Sequence, residues 1–228
     1  MEIQLAIFDL AGTSVKDNYD VHRVLQSAMR KHGIEISIEQ ANQVMGIPKP
    51  IAIRDLILQS DQGGPVTDSR IENIHKDFVA QMIDFYRHDP SVSEIEGATA
   101  TFESLRSMGI AVCVNTGFDR LIAGVLLERL GWIRNGLIDD SVTSDEVERG
   151  RPYPDMILKL MAKWKIRLGR FVMKVGDTAS DIREGRAAGC GLVVGVTTGA
   201  FSREALLNER PDYTVDHLMQ VVELVEKG

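Results

Sequence analysis

Four short apolar runs punctuate the chain. IQLAIF (3–8) stops at Asp9, IAVCVN (110–115) at Thr116, FVMKVG (171–176) at Asp177, and GLVVGV (191–196) repeats the pattern farther on. Runs this short and this uniformly apolar predict strands buried on both faces, as in a parallel sheet. Amphipathic helical patterns separate and follow them: TATFESLRSMG, DRLIAGVLLERLG, PYPDMILKLMAKW, SDIREGRAAGC and VDHLMQVVELVEKG. This alternation predicts an α/β fold with a doubly wound, Rossmann-like parallel sheet.

The stretch between the first and second strands has a different character. NYDVHRVLQSAMRKHG, SIEQANQVMG, IAIRDLILQS and DSRIENIHKDFVAQMIDFYR all carry helical periodicity and no strand signal. Turn chemistry divides them at Gly33, at Gly46 with Pro48 and Pro50, and at DQGGPVTD. A crossover of this length is an inserted all-helical cap, expected over 15–88, with 1–14 and 89–228 forming the core and DPSVSEIEGA the return hinge. Ligands of open α/β sheets bind beyond the carboxyl ends of the strands. Asp9, Thr116 and Asp177 are therefore expected to converge beneath the cap.

Composition narrows the partners. The 228 residues suffice for one large domain or a core with an insertion, and 44% hydrophobic with 26% charged residues is ordinary for a globular protein. A formal charge of -7 and a pI near 5.3 give no electrostatic reason to expect nucleic acid or an anionic membrane. An acidic protein that handles phosphate needs a local cation or a metal. Cys113 and Cys190 sit in apolar stretches and read as buried, reduced and structural. The first residues lack a secretory pattern, and no apolar run approaches the roughly 18 residues of a spanning helix, so a cytoplasmic location is expected.

Four motifs carry chemistry. In FDLAGT, a carboxylate at a strand end, Asp9, can attack phosphorus while the amides of the following turn face the transferring oxygens. In VCVNTG, the Thr116 hydroxyl and neighbouring amides can hold a phosphate oxygen. In ERGRPYP, the Arg151 guanidinium, just before a predicted helix, can neutralise both phosphate and nucleophile. In KVGDTASD, Asp177 and Asp181 present two carboxylates which, with Asp9, make a hard oxygen site suited to Mg²⁺. Each has a plainer alternative: a turn aspartate, a generic Asn-Thr-Gly turn, an exposed arginine, or a capped helix with Asp181 offsetting its dipole.

Taken in order, the four motifs resemble the haloacid dehalogenase superfamily across the whole chain. The resemblance implies phosphoryl transfer through an aspartyl-phosphate at Asp9. It further implies phosphate contacts from Gly12, Thr13, Thr116, Gly117 and Arg151, and a metal bound by Asp9, the Ala11 backbone carbonyl and Asp177, with Asp181 behind them. Most phosphatases of that superfamily carry an aspartate where this chain has Ala11. Loss of such a general acid–base group costs about 10²–10⁴ in rate, or about 3–5 kcal/mol.

The DxAGT pattern with arginine in the third motif resembles the phosphonatase branch, which cleaves phosphonoacetaldehyde. There a cap lysine forms an iminium with the aldehyde, so that the C–P bond breaks without an acid beside phosphorus. MGIPKP resembles the cap segment of that branch and puts Lys49 in the lysine's place. Pro50 is expected to open the helix IAIRDLILQ with Lys49 at its cap, where the helix N-terminus favours the neutral amine. The sequence departs from the branch at Ala52, Tyr19 and Phe118, where a histidine, a cysteine and a tyrosine are expected. His22 and His75 stand nearby as substitutes for the missing imidazole or as packing residues.

The expected activity is Mg²⁺-dependent cleavage of a small aldehyde or keto phosphonate. The alternatives are a phosphomonoesterase of the phosphoglycolate-phosphatase kind and a non-catalytic phosphometabolite binder. A homodimer through the cap is compatible with the apolar segments VHRVLQSAM and IAIRDLIL.

Overall fold

The computed structural model of the chain describes residues 2–60 and 64–226. The start of the DQGGPVTD turn and the last two residues of the C-terminal helical stretch lie outside them.

β1 (Leu5–Phe8) forms the middle of a six-stranded parallel sheet. β2 (Ala111–Thr116) flanks it on one side and β4 (Val172–Gly176) on the other. β3 (Asp140–Thr143) extends the first side; β5 (Leu192–Val196) and β6 (Tyr213–Val215) extend the second. The register pairs Phe8 with Val114 and with Val175, so the three central strands run out together. Asp9 N–H still donates to the Val175 carbonyl at 3.0 Å, which fixes the first residue beyond β1 against β4. Asp9, Thr116 and Asp177 consequently share one edge of the sheet.

Strand alternation divides the core. Ala6 and Phe8 face one apolar cluster, Leu5 and Ile7 the other. α7 (Asp155–Lys163) and α8 (Ala179–Ala187) cover the Leu5 side. α5 (Ala98–Ser107), α6 (Arg120–Leu130) and α10 (Gln220–Glu226) cover the Phe8 side, where Phe8, Phe102 and Trp132 stack edge to face. α9 (Arg203–Asn208) lies against β5 and β6. Cys113 and Cys190 are buried and free, as their apolar surroundings imply.

Four helices intervene between β1 and β2: α1 (Asp20–Lys31), α2 (Ile38–Gln43), α3 (Lys49–Gln59) and α4 (Asp68–His88). Their apolar faces, including Leu25, Ile53, Leu56 and Phe78, join the same cluster as Phe8. α4 also packs along α6, which holds the helical stretch against the sheet side of the molecule. Gly46, with φ of +78°, brings the segment before α3 onto the loop after β4; a Cβ there would lie 2.4 Å from Thr178 Oγ1. Among the described residues no helix is long and apolar enough to cross a membrane.

Three elements differ from the sequence-based expectation. β3 (DSVT) and β6 (YTV) are short edge strands without an apolar run, and the stretch expected to be helical from Val215 begins its helix at Gln220. Arg151 precedes a turn rather than a helix start, since α7 begins at Asp155.

Candidate active site

The turn after β1 is held from within. Val15 N–H donates to the Leu10 carbonyl at 2.8 Å and Ser14 Oγ to the Asp9 carbonyl at 2.6 Å. Gly12 adopts φ of +90°, and a Cβ on it would lie 2.5 Å from Asp177 Oδ2, so only glycine lets this turn meet the loop after β4. Thr13 Oγ1 donates to Asp177 Oδ1 at 2.7 Å, and Ala200 N–H donates to Asp177 Oδ2 at 2.8 Å. The Asp177 carboxylate is thus oriented through both oxygens.

Asp181 is aimed differently. Thr178, the N-cap of α8, forms a capping box with it: Asp181 Oδ2 accepts from Thr178 Oγ1 at 2.6 Å. Its Oδ1 is then left 2.9 Å from both Arg151 Nη1 and Lys174 Nζ. Asp9, Asp177 and Asp181 each offer an oxygen, and these atoms lie within 4.8 Å of one another.

Arg151 is fully buried and links the ends of β1 and β2 to α8. Its Nη1 donates to Asp9 Oδ1 at 2.6 Å, its Nε to Glu184 Oε2 at 3.0 Å, and its Nη2 to both the backbone and side-chain oxygens of Asn115 at 2.7 Å. Lys174, also buried, donates to Asn115 Oδ1 at 2.7 Å, while Asn115 Nδ2 donates to both Glu184 oxygens at 2.9 Å. Asn115, Lys174 and Glu184 escaped sequence reading. Their signals were present as one lysine inside the apolar run FVMKVG and one glutamate on the inward side of SDIREGRAAGC.

Charge in this network is unbalanced. Two buried cations, Arg151 and Lys174, stand against four buried carboxylates; they pair with Asp9, Asp181 and Glu184, and the fourth, Asp177, is held by Thr13 and Ala200 instead. Burial pushes the Asp9 carboxyl up to about 6, with Asp181 adding to the rise and Arg151 and Lys174 opposing it. Burial, then Asp9 and Asp181, carry Asp177 well above the ordinary range, against the hydrogen bonds from Ala200 and Thr13. Burial works on Asp181 in the same direction, yet Arg151, Lys174 and Thr178 hold it below the usual value. The cations therefore stabilise Asp181 and leave the Asp9–Asp177 pair short of positive charge. A hard-oxygen donor set with two uncompensated negative charges fits one divalent ion.

Lys49 opens on the same cleft. The helix begins at Lys49 itself, with Pro48 at the cap and Pro50 in the second position, one residue earlier than the sequence suggested. The side chain is buried, and its Nζ lies 5.8 Å from the ring centroids of both Phe78 and Phe118. Burial lowers its pKa to about 8, with Arg151 helping and Asp17 and Asp9 opposing. Desolvation by burial is the largest cause.

Asp9, Lys49, Thr116, Arg151 and Asp177 line one cleft, together with Ala11 and Gly117. Its empty space is about 390 Å³. Gly12, Thr13 and Asp181 stand behind this wall, and Asp17, Val21 and Met45 complete it from the helical side. Of the divergent positions, Ala52 is buried in α3, Tyr19 is half exposed, and Phe118 forms part of the lysine's apolar enclosure.

A buried carboxylate cluster with a buried arginine thus lies at the carboxyl edge of a parallel α/β sheet, where such folds bind their ligands. The haloacid dehalogenase-like hydrolase family model matches residues 6–195, and the chain belongs to that family. Phosphonoacetaldehyde hydrolase from Bacillus cereus is 33% identical over 238 residues, spanning all of this chain and 86% of the relative. Among solved structures, a phosphonoacetaldehyde hydrolase-like protein from Oleispira antarctica superposes with a TM-score of 0.85 at 23% identity, over 100% of this chain and 94% of that one. A predicted phosphoglycolate phosphatase from Haemophilus somnus gives 0.83 at 19% identity, over 98% of each chain. These two likenesses speak to the fold alone.

Proposed function

We propose that the chain is a magnesium-dependent hydrolase that cleaves the C–P bond of a small aldehyde or keto phosphonate, with Asp9 as nucleophile and Lys49 as the imine-forming amine. Residues 15–88 serve as the cap over a core of 1–14 and 89–228. The observation that carries the reading is the buried Lys49 amine on the same small cleft as Asp9, with a pKa lowered to about 8. A neutral amine is what imine formation requires. The names of the Bacillus relatives, which match over all of this chain and 86% of their own length, support the same chemistry.

Lys49 Nζ adds to the substrate carbonyl and, with loss of water, becomes an iminium. Asp9 Oδ attacks phosphorus, the C–P electron pair passes into the iminium as an enamine, and the phosphoryl group rests on Asp9. Water then releases phosphate, and the enamine takes up a proton and is hydrolysed from Lys49. Arg151, 2.6 Å from Asp9, orients the nucleophile; Thr116 and Gly117, with the turn at Gly12 and Thr13, hold phosphoryl oxygens. Magnesium, held by Asp9, Asp177 and the Ala11 carbonyl with Asp181 behind, would supply positive charge to those oxygens. Because the leaving group is a carbon stabilised by the iminium, Ala11 imposes no penalty for want of an acid.

Borohydride added during turnover should fix a reduced adduct on Lys49, seen as a mass increment on the peptide that contains it. Turnover of the phosphonate with Lys49 left unmodified would refute the imine. Hydrolysis of phosphate esters that survives in Lys49→Ala would instead favour a phosphomonoesterase.

A further inference from the structure

Imine chemistry needs a group that gives a proton to the departing hydroxyl and takes one back during hydrolysis, and Ala52 cannot do so. The helical wall of the cleft offers a replacement.

Asp17 lines the cleft beside Lys49, and of the carboxylates acting on Lys49 it exerts the strongest pull, ahead of Asp9. Its Oδ1 accepts from Asp20 N–H at 2.6 Å and from Val21 N–H at 3.2 Å, which caps α1 and fixes the carboxyl. Capping occupies that one oxygen. The other, Oδ2, lies 3.9 Å from His22 Nδ1. His22 is buried at 1% exposure, and its Nε2 sits 2.9 Å from Asn42 Oδ1. In the tautomer that donates this bond, Nδ1 carries a bare lone pair, and it has no hydrogen-bond partner. At 3.9 Å no direct hydrogen bond joins the two atoms, so a proton passes between them through a bridging water.

Asp17 also borders a second cavity of about 560 Å³, which it shares with Tyr19, His22, Thr198 and Gly199. The residue therefore stands between the narrow reaction cleft and a roomier space, with His22 on the roomier side.

We propose that Asp17, backed by His22, is the proton donor and acceptor for imine formation and hydrolysis at Lys49. The inference rests on the imine reading above. Lys49 Nζ adds to the carbonyl carbon, the π pair moves to oxygen, and one amine proton transfers to that oxygen to give the carbinolamine. The Asp17 carboxyl then gives its proton to the hydroxyl; the C–O bond breaks, water leaves, and the nitrogen lone pair forms the C=N bond. The Asp17 carboxylate now faces the iminium it helped create. In hydrolysis the same carboxylate takes a proton from the water that adds to the C=N carbon. A water between Asp17 Oδ2 and His22 Nδ1 carries the Asp17 proton to and from the outer cavity.

The test is the rate of borohydride trapping at Lys49 in the magnesium-loaded full chain, with beryllium fluoride capture at Asp9 as the parallel readout. Asp17→Asn should slow trapping about 10²-fold and leave capture at Asp9 intact. Asp17→Ser, which keeps an oxygen for the Asp20 amide without an acidic proton, carries the same expectation if the asparagine variant does not fold. Formate should restore trapping in Asp17→Ala and do nothing to wild type, an effect a purely structural aspartate cannot show. His22→Gln should slow trapping several-fold. Wild-type rates in Asp17→Asn, or no formate rescue, would overturn the proposal while leaving the Lys49 imine standing. No trapping in the wild type would remove both.

Discussion

Arg151 Nη1 lies 2.6 Å from Asp9 Oδ1 while its Nε and Nη2 are tied to Glu184 and Asn115. The guanidinium is anchored on one side and presents its remaining edge to the Asp9 carboxylate. Asparagine at position 9 keeps an oxygen for Arg151 but has no nucleophilic carboxylate. Asp9→Asn should therefore fold with an unchanged circular dichroism spectrum and lose turnover by about 10⁴-fold or more in a phosphate-release assay. Retained turnover would dismiss the covalent route.

Metal and protons compete for the carboxylates. Asp9 rises in the folded chain to about 6 from an ordinary 3.8, so its stabilising contribution is complete below pH 3.8 and is lost as pH rises through about 6. Asp177 shifts in the same direction. Asp181, held below its ordinary value, acts in the opposite sense and only at more acidic pH. Metal-free protein should thus lose thermal stability on going from about pH 5 to about pH 7, and magnesium should raise Tm chiefly above about pH 6. A magnesium increment independent of pH in a thermal melt would contradict this.

For Lys49 the sign is reversed. Desolvation brings its folded pKa down to about 8 from 10.5, so the neutral amine fraction grows tenfold per pH unit below about 8 and saturates above it. The kcat/KM for a carbonyl phosphonate should follow that curve. Any hydrolysis of a simple phosphate ester, which has no carbonyl to condense, should not.

The buried network also bears on stability. Lys174→Met would leave Asp181 and Glu184 to Arg151 alone and should cost about 3–5 kcal/mol in urea denaturation. Arg186→Ala, which breaks the partly exposed pair with Asp212, should cost about 1 kcal/mol or less. Equal losses would mean that Lys174 is not the counter-charge described above.

The parts of the site that sequence revealed are those written into local pattern. Asp9, Thr116 and Asp177 each end an apolar run, and parallel strands in register bring such ends together. β3 and β6 stayed hidden because DSVT and YTV are short, half-exposed and polar, so neither shows a run. Lys174 was hidden for the converse reason: four apolar neighbours masked one buried charge whose partners lie on other elements. Lys49 stands in a legible motif, but the burial that lowers its pKa is not written there. MGIPKP says nothing of Phe78 and Phe118, which come from distant segments to strip water from the amine.

Those two rings have opposite allegiances. Phe78 belongs to α4 among the helices that carry the lysine, whereas Phe118 follows β2 beside the nucleophile. If the helices swung away, Phe118 would stay with the sheet, water would reach the ammonium, and its proton would be held firmly again. On the imine reading proposed above, an open molecule would then be chemically silent toward stray carbonyl compounds.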